Sequence, residues 1–238
     1  DEMHHVSSPT FSKLLDTNHC RYKIGLSGTI ERKDGKHVVF RDYFGSKIFK
    51  PPKENYMTPS VHLVHSEIRF MDGAKIPWAN RVTKLSSDEE YRHTVAMLAA
   101  AYAAKGHKVL VVSDRVAFLK SCAELTGDRA VCVTGEVAHA DREALIDRVL
   151  YGDANVLYGT QAIFSEGISV DTLSCLILGT PVNNEPLLTQ LVGRVIRKKE
   201  GKIDPVIIDI HLRGKTAKKQ ASNRVGFYMK QGWNMKYI

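Results

Sequence analysis

No stretch of the 238-residue chain approaches the roughly eighteen consecutive apolar residues of a membrane-crossing helix, and its start lacks the basic and apolar regions of a secretory signal. These absences lead to the expectation of a soluble, cytoplasmic protein with no membrane partner. Cysteine is sparse. The four present, Cys20, Cys122, Cys132 and Cys175, form no Cys-x-x-Cys pair, which argues against a zinc module or disulfide framework and leaves reduced, mostly buried packing residues. His4 and His5 are adjacent, so their side chains diverge, and no third ligand is spaced to complete a metal site. Also missing is a Gly-x-x-x-x-Gly-Lys-Ser/Thr loop, the glycine-rich turn that wraps nucleotide phosphates.

What is present is a large apolar fraction, 43%, enough to bury a core in one large or two small domains. Charge is lopsided: the formal net charge is +8 and the isoelectric point is near 9.3, which suggests a polyanionic partner. Between Arg194 and Arg224 lie Arg197, Lys198, Lys199, Lys202, Arg213, Lys215, Lys218 and Lys219, opposed only by Glu200, Asp204 and Asp209. A surface of that kind attracts a phosphate backbone in a salt-dependent way.

Ser8-Pro9-Thr10 opens a short helix through Leu15, and Tyr22 to Leu26 reads as a strand. Pro51-Pro52-Lys53 to Pro59 has linker composition, which places a domain boundary between residues 58 and 59. Residues 61–68 alternate loosely, as in an edge strand, and 70–87 carry no clear signal. From Asp88 onward helices alternate with strands: a helix to Lys105 stopped by Gly106, a strand at 108–113, a helix at 116–125, a strand at 130–133, a helix at 141–150, and a strand at 155–158. Strands at 174–178 and 205–210 and helices at 186–197 and 218–230 complete the set. The pattern predicts an α/β fold with a parallel sheet flanked by helices, whose working loops lie at the carboxyl ends of the strands.

The richest stretch is Gln190-Leu191-Val192-Gly193-Arg194-Val195-Ile196-Arg197. On a helix, Gln190, Gly193, Arg194 and Arg197 share one face while the apolar residues anchor the other. Two guanidiniums about a turn apart suit phosphate oxygens, and a glycine admits a close neighbour. Taken alone, the octet fits equally an amphipathic surface helix with solvated arginines. The chain opens, however, on Asp1-Glu2-Met3-His4. Together the two stretches resemble motifs II and VI of superfamily 2 helicases.

Further segments carry the same resemblance. Gly25 to Gly35, with Ser27-Gly28-Thr29, resembles motif III, and Gly159-Thr160-Gln161 through Glu166-Gly167-Ile168-Ser169 resembles motif V. Ser113-Asp114-Arg115 stands in the place of motif IV, and Thr134-Gly135 resembles a turn that touches a nucleic-acid backbone. Alone, the first is also a helix cap with a surface arginine and the second only a turn. Within the superfamily, the stretch from Gly25 and the tail with Arg224, Phe227-Tyr228 and Gly232-Trp233 look most like recombination and repair helicases of the UvsW type.

The resemblance implies a complete second RecA-like lobe over 59–238 and the end of a first lobe over 1–58. It implies ATP between two lobes, with Mg2+ held through water by Asp1 and Glu2, the latter also orienting the attacking water. Arg194 and Arg197 would reach the γ-phosphate. His4, Gly167, Ser169, Gln190 and Gly193 would line the nucleotide. Ser113, Arg115, Thr134, Gly135 and Thr160 would contact nucleic acid, and Ser27, Gly28 and Thr29 would couple the two events. Ser169 replaces the family's usual aspartate, so a ribose hydroxyl would meet a neutral partner.

The implied partners are DNA, single-stranded or branched and held by its backbone, RNA–DNA hybrids, and the missing amino-terminal lobe. Gly214-Lys215-Thr216 lacks the upstream glycine of a phosphate loop; it reads as a turn into the last helix, open at most to backbone contacts with DNA. Since the chain begins at motif II, the expectation is a piece of a helicase that binds ATP poorly and does not hydrolyse it alone. A non-catalytic nucleic-acid-binding module, an RNA helicase and a nucleotide-free scaffold are the competing readings.

Overall fold

The structure, a computed structural model, describes residues 3, 6, 8–27, 38–49, 53–73, 75–166 and 170–238. They divide into two compact units, 1–53 and 54–238, the division falling slightly before the expected boundary. In the first unit, helix α1 spans Pro9–Asp16, opened by an extended Ser8 and a proline in its first turn, and α2 spans Val39–Phe44. The Tyr43 hydroxyl donates to Asp16. The expected strand at Tyr22–Leu26 forms no ladder among the described residues; its sequence pattern suits a strand, but a strand needs a partner to exist. Gly28 and Thr29 lie outside the described residues, as do Asp1, Glu2 and His4.

The second unit contains β1 (Ser60–Arg69), α3 (Trp78–Ser86), α4 (Glu89–Ala104), β2 (Val109–Ser113), α5 (Val116–Thr126) and β3 (Ala130–Val133). It continues with α6 (His139–Leu150), β4 (Val156–Thr160), α7 (Gln161–Glu166), β5 (Cys175–Leu178), α8 (Glu185–Val195), β6 (Val206–Arg213), α9 (Lys215–Gln231) and β7 (Asn234–Tyr237). The strands form one parallel sheet in the order β3-β4-β2-β5-β6-β1-β7. The expected parallel sheet wrapped by helices, of RecA-like type, is therefore present.

A parallel sheet covered on both faces needs strands that are apolar throughout, and β2 and β5 are buried at every position. Alternate side chains serve two cores. Leu110, Val112, Leu157, Leu176 and Ile207 pack with Phe164, Leu188, Leu191, Val195 and Phe227, the face covered by α6 to α9. Val109, Val111, Tyr158, Ile177 and Ile208 pack with Val82, Tyr91, Val95, Phe118 and Leu119, the face covered by α3 to α5. Gly106, at φ +90°, ends α4 as expected, and Asp88 caps its start by accepting from the Tyr91 amide.

Four differences from the sequence reading bear on function. First, β1 is not an edge strand, because β7 pairs with it from Ser60↔Asn234 to Leu63↔Tyr237. Second, β4 runs on to Thr160 and is followed at once by α7. Third, α8 ends at Val195: Ile196 and Lys198 exchange backbone hydrogen bonds with Met57 and Asn55, and Arg197 bridges Tyr56, so Arg197 leaves the helical face that it was expected to share. Fourth, α9 begins at Lys215, so Gly214-Lys215-Thr216 is a helix start whose Lys215 and Thr216 amides donate to the Asp72 carboxylate at 3.0 and 2.9 Å. An internal anion already fills that site. Three cysteines pack as expected, Cys122 and Cys175 buried and Cys132 partly so, while Cys20 is exposed; burial pushes the Cys122 and Cys132 thiols up to about 12 and 11. Among the described residues no helix is long and apolar enough to cross a membrane.

Candidate nucleotide and nucleic-acid site

The candidate residues of the second unit gather at the carboxyl ends of its strands. Parallel register is the reason: Ser113, last in β2, is the partner of Thr160, last in β4, and Val133, last in β3, is the partner of Gly159. Ser113, Thr134 and Thr160, distant in sequence, thus lie along one edge.

Their exposure differs. Ser113 is fully buried, 3.1 Å from the Thr180 hydroxyl, and accepts the Arg115 amide at 3.1 Å. Its hydroxyl organises the loop rather than facing solvent. Arg115 precedes α5 as its capping residue and donates through Nη2 to the Ala79 carbonyl at 3.1 Å, beside the Asp114 carboxylate at 3.6 Å. Thr134 is also fully buried; its carbonyl closes a turn on the Val137 amide, and its hydroxyl has no hydrogen-bond partner. Gly135 is exposed, with open space around it, and Thr160 is half-buried.

Gly159 has a steric role. A Cβ there would fall 1.9 Å from the Phe164 ring, so the absence of a side chain lets the first turn of α7 fold back onto β4. Phe164 is itself fully buried. Its carbonyl accepts from Arg194 Nε at 2.8 Å, which ties α8, the helix expected to carry motif VI, directly to α7. Gln190, Gly193 and Arg194 are partly exposed on α8, and an added methyl at Gly193 would meet nothing within 4 Å. The glycine therefore leaves open space on this face. Gly167 and Ser169 lie outside the described residues.

What positions α8 is a network that the sequence reading missed. The loop from β5 to α8 is held from four sides. The Ser113 hydroxyl meets Thr180; the Tyr91 hydroxyl donates to the Gly179 carbonyl at 2.9 Å; Arg224 reaches the Val182 carbonyl at 3.4 Å; and Asn223 donates to Asn183 at 3.2 Å. Asn184 then caps α8 by accepting the Leu187 amide.

Arg224 is itself fixed by a two-pronged ion pair with the fully buried Asp209 of β6, at 2.9 Å from Nε and 2.7 Å from Nη2, and the Tyr228 hydroxyl donates to the same carboxylate at 3.1 Å. Burial alone would push the Asp209 carboxyl up, but the Arg224 guanidinium with its hydrogen bonds, and the His211 ring 3.6 Å away, hold it well below the usual range. Arg224 and Asp209, both counted within the basic run, are thus buried against each other and contribute nothing to a surface patch. Elsewhere in that run Lys199 is paired with Asp171 at 2.8 Å.

Comparison with known proteins places the chain. Residues 91–199 match the helicase conserved C-terminal domain. The chain is 43% identical over 98% of its length to a probable helicase of Escherichia phage T5, covering 52% of that protein. It is 26% identical, over 88% of its length and 44% of the relative, to the ATP-dependent DNA helicase UvsW of Enterobacteria phage T4. The crystal structure of T4 UvsW superposes with a TM-score of 0.60 at 24% identity, covering 100% of this chain and 53% of that one. A fragment of an HsdR subunit of a type I restriction enzyme from Vibrio vulnificus gives 0.70 at 19% identity, covering 96% and 46%. The chain spans about half the length of the curated relatives that it matches.

Proposed function

We propose, from the premise that the chain belongs to the superfamily 2 helicases and carries their conserved C-terminal domain over residues 91–199, that it is the part of an ATP-dependent DNA helicase or translocase that grips a nucleic-acid backbone and responds to the γ-phosphate. The observation that carries this reading is the bond from Arg194 Nε to the Phe164 carbonyl. A guanidinium is planar and carries five N–H donors, and the bond through Nε anchors it at one of them. The peptide it holds belongs to the turn that begins immediately after Thr160.

The α8 face suits a polyphosphate: a cation at Arg194, an amide at Gln190 and open space at Gly193. In this reading Arg194, helped by Arg197, meets charge developing on the γ-phosphate, where such an arginine is worth about 10³ or more in rate. Attraction of Arg194 toward that charge pulls on the Phe164 carbonyl and shifts the turn beside Thr160. Thr160, with Arg115 and the exposed backbone at Gly135, holds phosphates of the nucleic acid, so its grip follows the nucleotide state. Mg2+ would supply charge neutralisation at the phosphates. The residues that the motif gives to it, Asp1 and Glu2, and the proposed nucleotide contacts His4, Gly167 and Ser169 lie outside the described residues; their assignment, like the coupling role of Ser27, Gly28 and Thr29, rests on the sequence pattern.

DNA is favoured over RNA because the T4 relative is a DNA helicase, and no base-reading element is needed for a backbone track. The test is steady-state ATP hydrolysis by the complete protein with and without single-stranded DNA. DNA should stimulate hydrolysis several-fold, and Thr160→Ala should lose most of the stimulation while keeping the basal rate. Stimulation by RNA alone would move the substrate to RNA, and no hydrolysis with either would overturn the motor.

A further inference from the structure

The carboxyl edge of the sheet holds a crevice that a phosphate track does not use. Strand β2 lies between β4 and β5, yet the helix that follows it, α5, covers one face of the sheet, while α7 and α8, which follow β4 and β5, cover the other. Loops that part in opposite directions leave a gap between them, the position where doubly wound sheets receive ligands. Here the gap is a cavity of about 400 Å3, walled by Trp78 of α3, Asp114, Gln161, Val182, Asn184 and Gln220 of α9. That volume lies within the range of small-ligand sites.

The chemistry of the lining excludes a phosphate. None of the residues lining the cavity is Lys, Arg or His, although Arg81 overlies the Trp78 indole, and Asp114 would repel an anion. Carboxamides, a carboxylate and an indole instead match the edges and faces of a nucleobase: Gln pairs in two-pronged fashion with adenine, and Asp accepts from an exocyclic amino group. Gln220 is the lining residue whose side chain has an unmet hydrogen bond. It is 7% exposed, and its Oε1 is buried with no hydrogen-bond partner. Leaving a buried acceptor unpaired is costly, and because Oε1 is enclosed behind the wall, a donor in the crevice reaches it only once the Gln220 carboxamide turns toward the cavity. The Trp78 indole, packed on Phe70 at 5.2 Å between centroids and overlain by Arg81 at 5.4 Å, gives a firm apolar wall.

We propose that this crevice takes one unstacked, amino-bearing nucleobase, adenine above all, from the strand whose backbone runs past Thr160, with the base's amino edge received by Asp114 and Gln220. The proposal rests on the nucleic-acid reading above and adds base selection to it. Gln161, first residue of α7, lines the crevice and directly follows Thr160, so a base could enter the crevice while its phosphate remains at the edge.

The experiment is fluorescence anisotropy of the 238-residue chain with short labelled oligodeoxyadenylate and oligodeoxythymidylate at low salt. Wild type should favour the adenylate about fivefold or more. Gln220→Leu, which fills the same space without an orphaned acceptor, should melt at or above the wild-type temperature. It should bring the two affinities within about twofold by weakening adenylate binding alone, and Asp114→Ala, at an exposed position, should act in the same direction. Thymidylate binding with no adenine preference in wild type, or a preference that survives both variants, overturns the base site and leaves the backbone reading standing. Failure of wild type to bind either oligonucleotide overturns the backbone reading, and the base site with it.

Discussion

Asp209 is the residue on which the geometry of the site depends most. It is a lone carboxylate in Val206-Ile207-Ile208-Asp209-Ile210, a strand otherwise apolar over that run, and it is completely buried. A charge in such a place must have a partner; that the partner is Arg224, fifteen residues on, was not legible in the sequence, because Asp209 and Arg224 both sit in a basic run that reads as a surface. Removing one member of a buried pair leaves the other uncompensated, so Asp209→Asn should cost about 3–5 kcal/mol in urea unfolding and loosen the loop that launches α8. The pH dependence has a definite sign. The folded carboxyl is held below its ordinary value despite burial, because the Arg224 guanidinium with its hydrogen bonds, and the nearby His211, outweigh the desolvation. The contribution is therefore complete above the unfolded carboxylate value of about 3.9 and is lost as pH falls through the lower folded value. Urea midpoints of wild type should fall between about pH 4 and 2, and Asp209→Asn should flatten part of that fall.

At the scale of elements, strong periodicity was readable and pairing was not. The strands β2 to β6 and the helices α4, α5 and α8 follow from apolar runs and caps, since burial on both faces demands them. The strand β7 left no such trace: Asn234–Tyr237 is mostly exposed and polar, and only its neighbour β1 makes it a strand. The arginine pair shows the same limit, for α8 stops at Val195 where the chain finds backbone partners in residues 55–57. The start of α9 is also a matter of tertiary partners. Gly214, at φ +116°, turns the chain so that the Lys215 and Thr216 amides point at Asp72 from a distant loop. Those two backbone hydrogen bonds hold the Asp72 carboxyl below its ordinary value. Its stabilising effect is thus present at neutral pH and disappears as pH falls through the folded value. Asp72→Ala should lower the melting temperature at pH 7, and the difference from wild type should shrink as pH is lowered below the ordinary carboxylate value of about 3.9, as followed by circular dichroism.

For the molecule as a whole, the sheet brings together residues that the sequence scatters over a hundred positions, and parallel register alone explains why Ser113 and Thr160 are neighbours. The order of the motifs foretold that gathering; it could not tell that the Ser113 and Thr134 side chains would be enclosed, or that the loop before α8 would be clasped by Tyr91, Ser113, Asn223 and Arg224. Such clasping gives the proposed motor a stiff link from α8 to the end of β4, so that charge sensed at Arg194 moves the nucleic-acid grip. The direct measurement is the turnover number for DNA-stimulated ATP hydrolysis by the complete protein carrying Arg194→Ala, beside its DNA affinity without nucleotide. The account predicts a fall of about 10³ or more in turnover with the nucleotide-free affinity preserved; hydrolysis near the wild-type rate would contradict it.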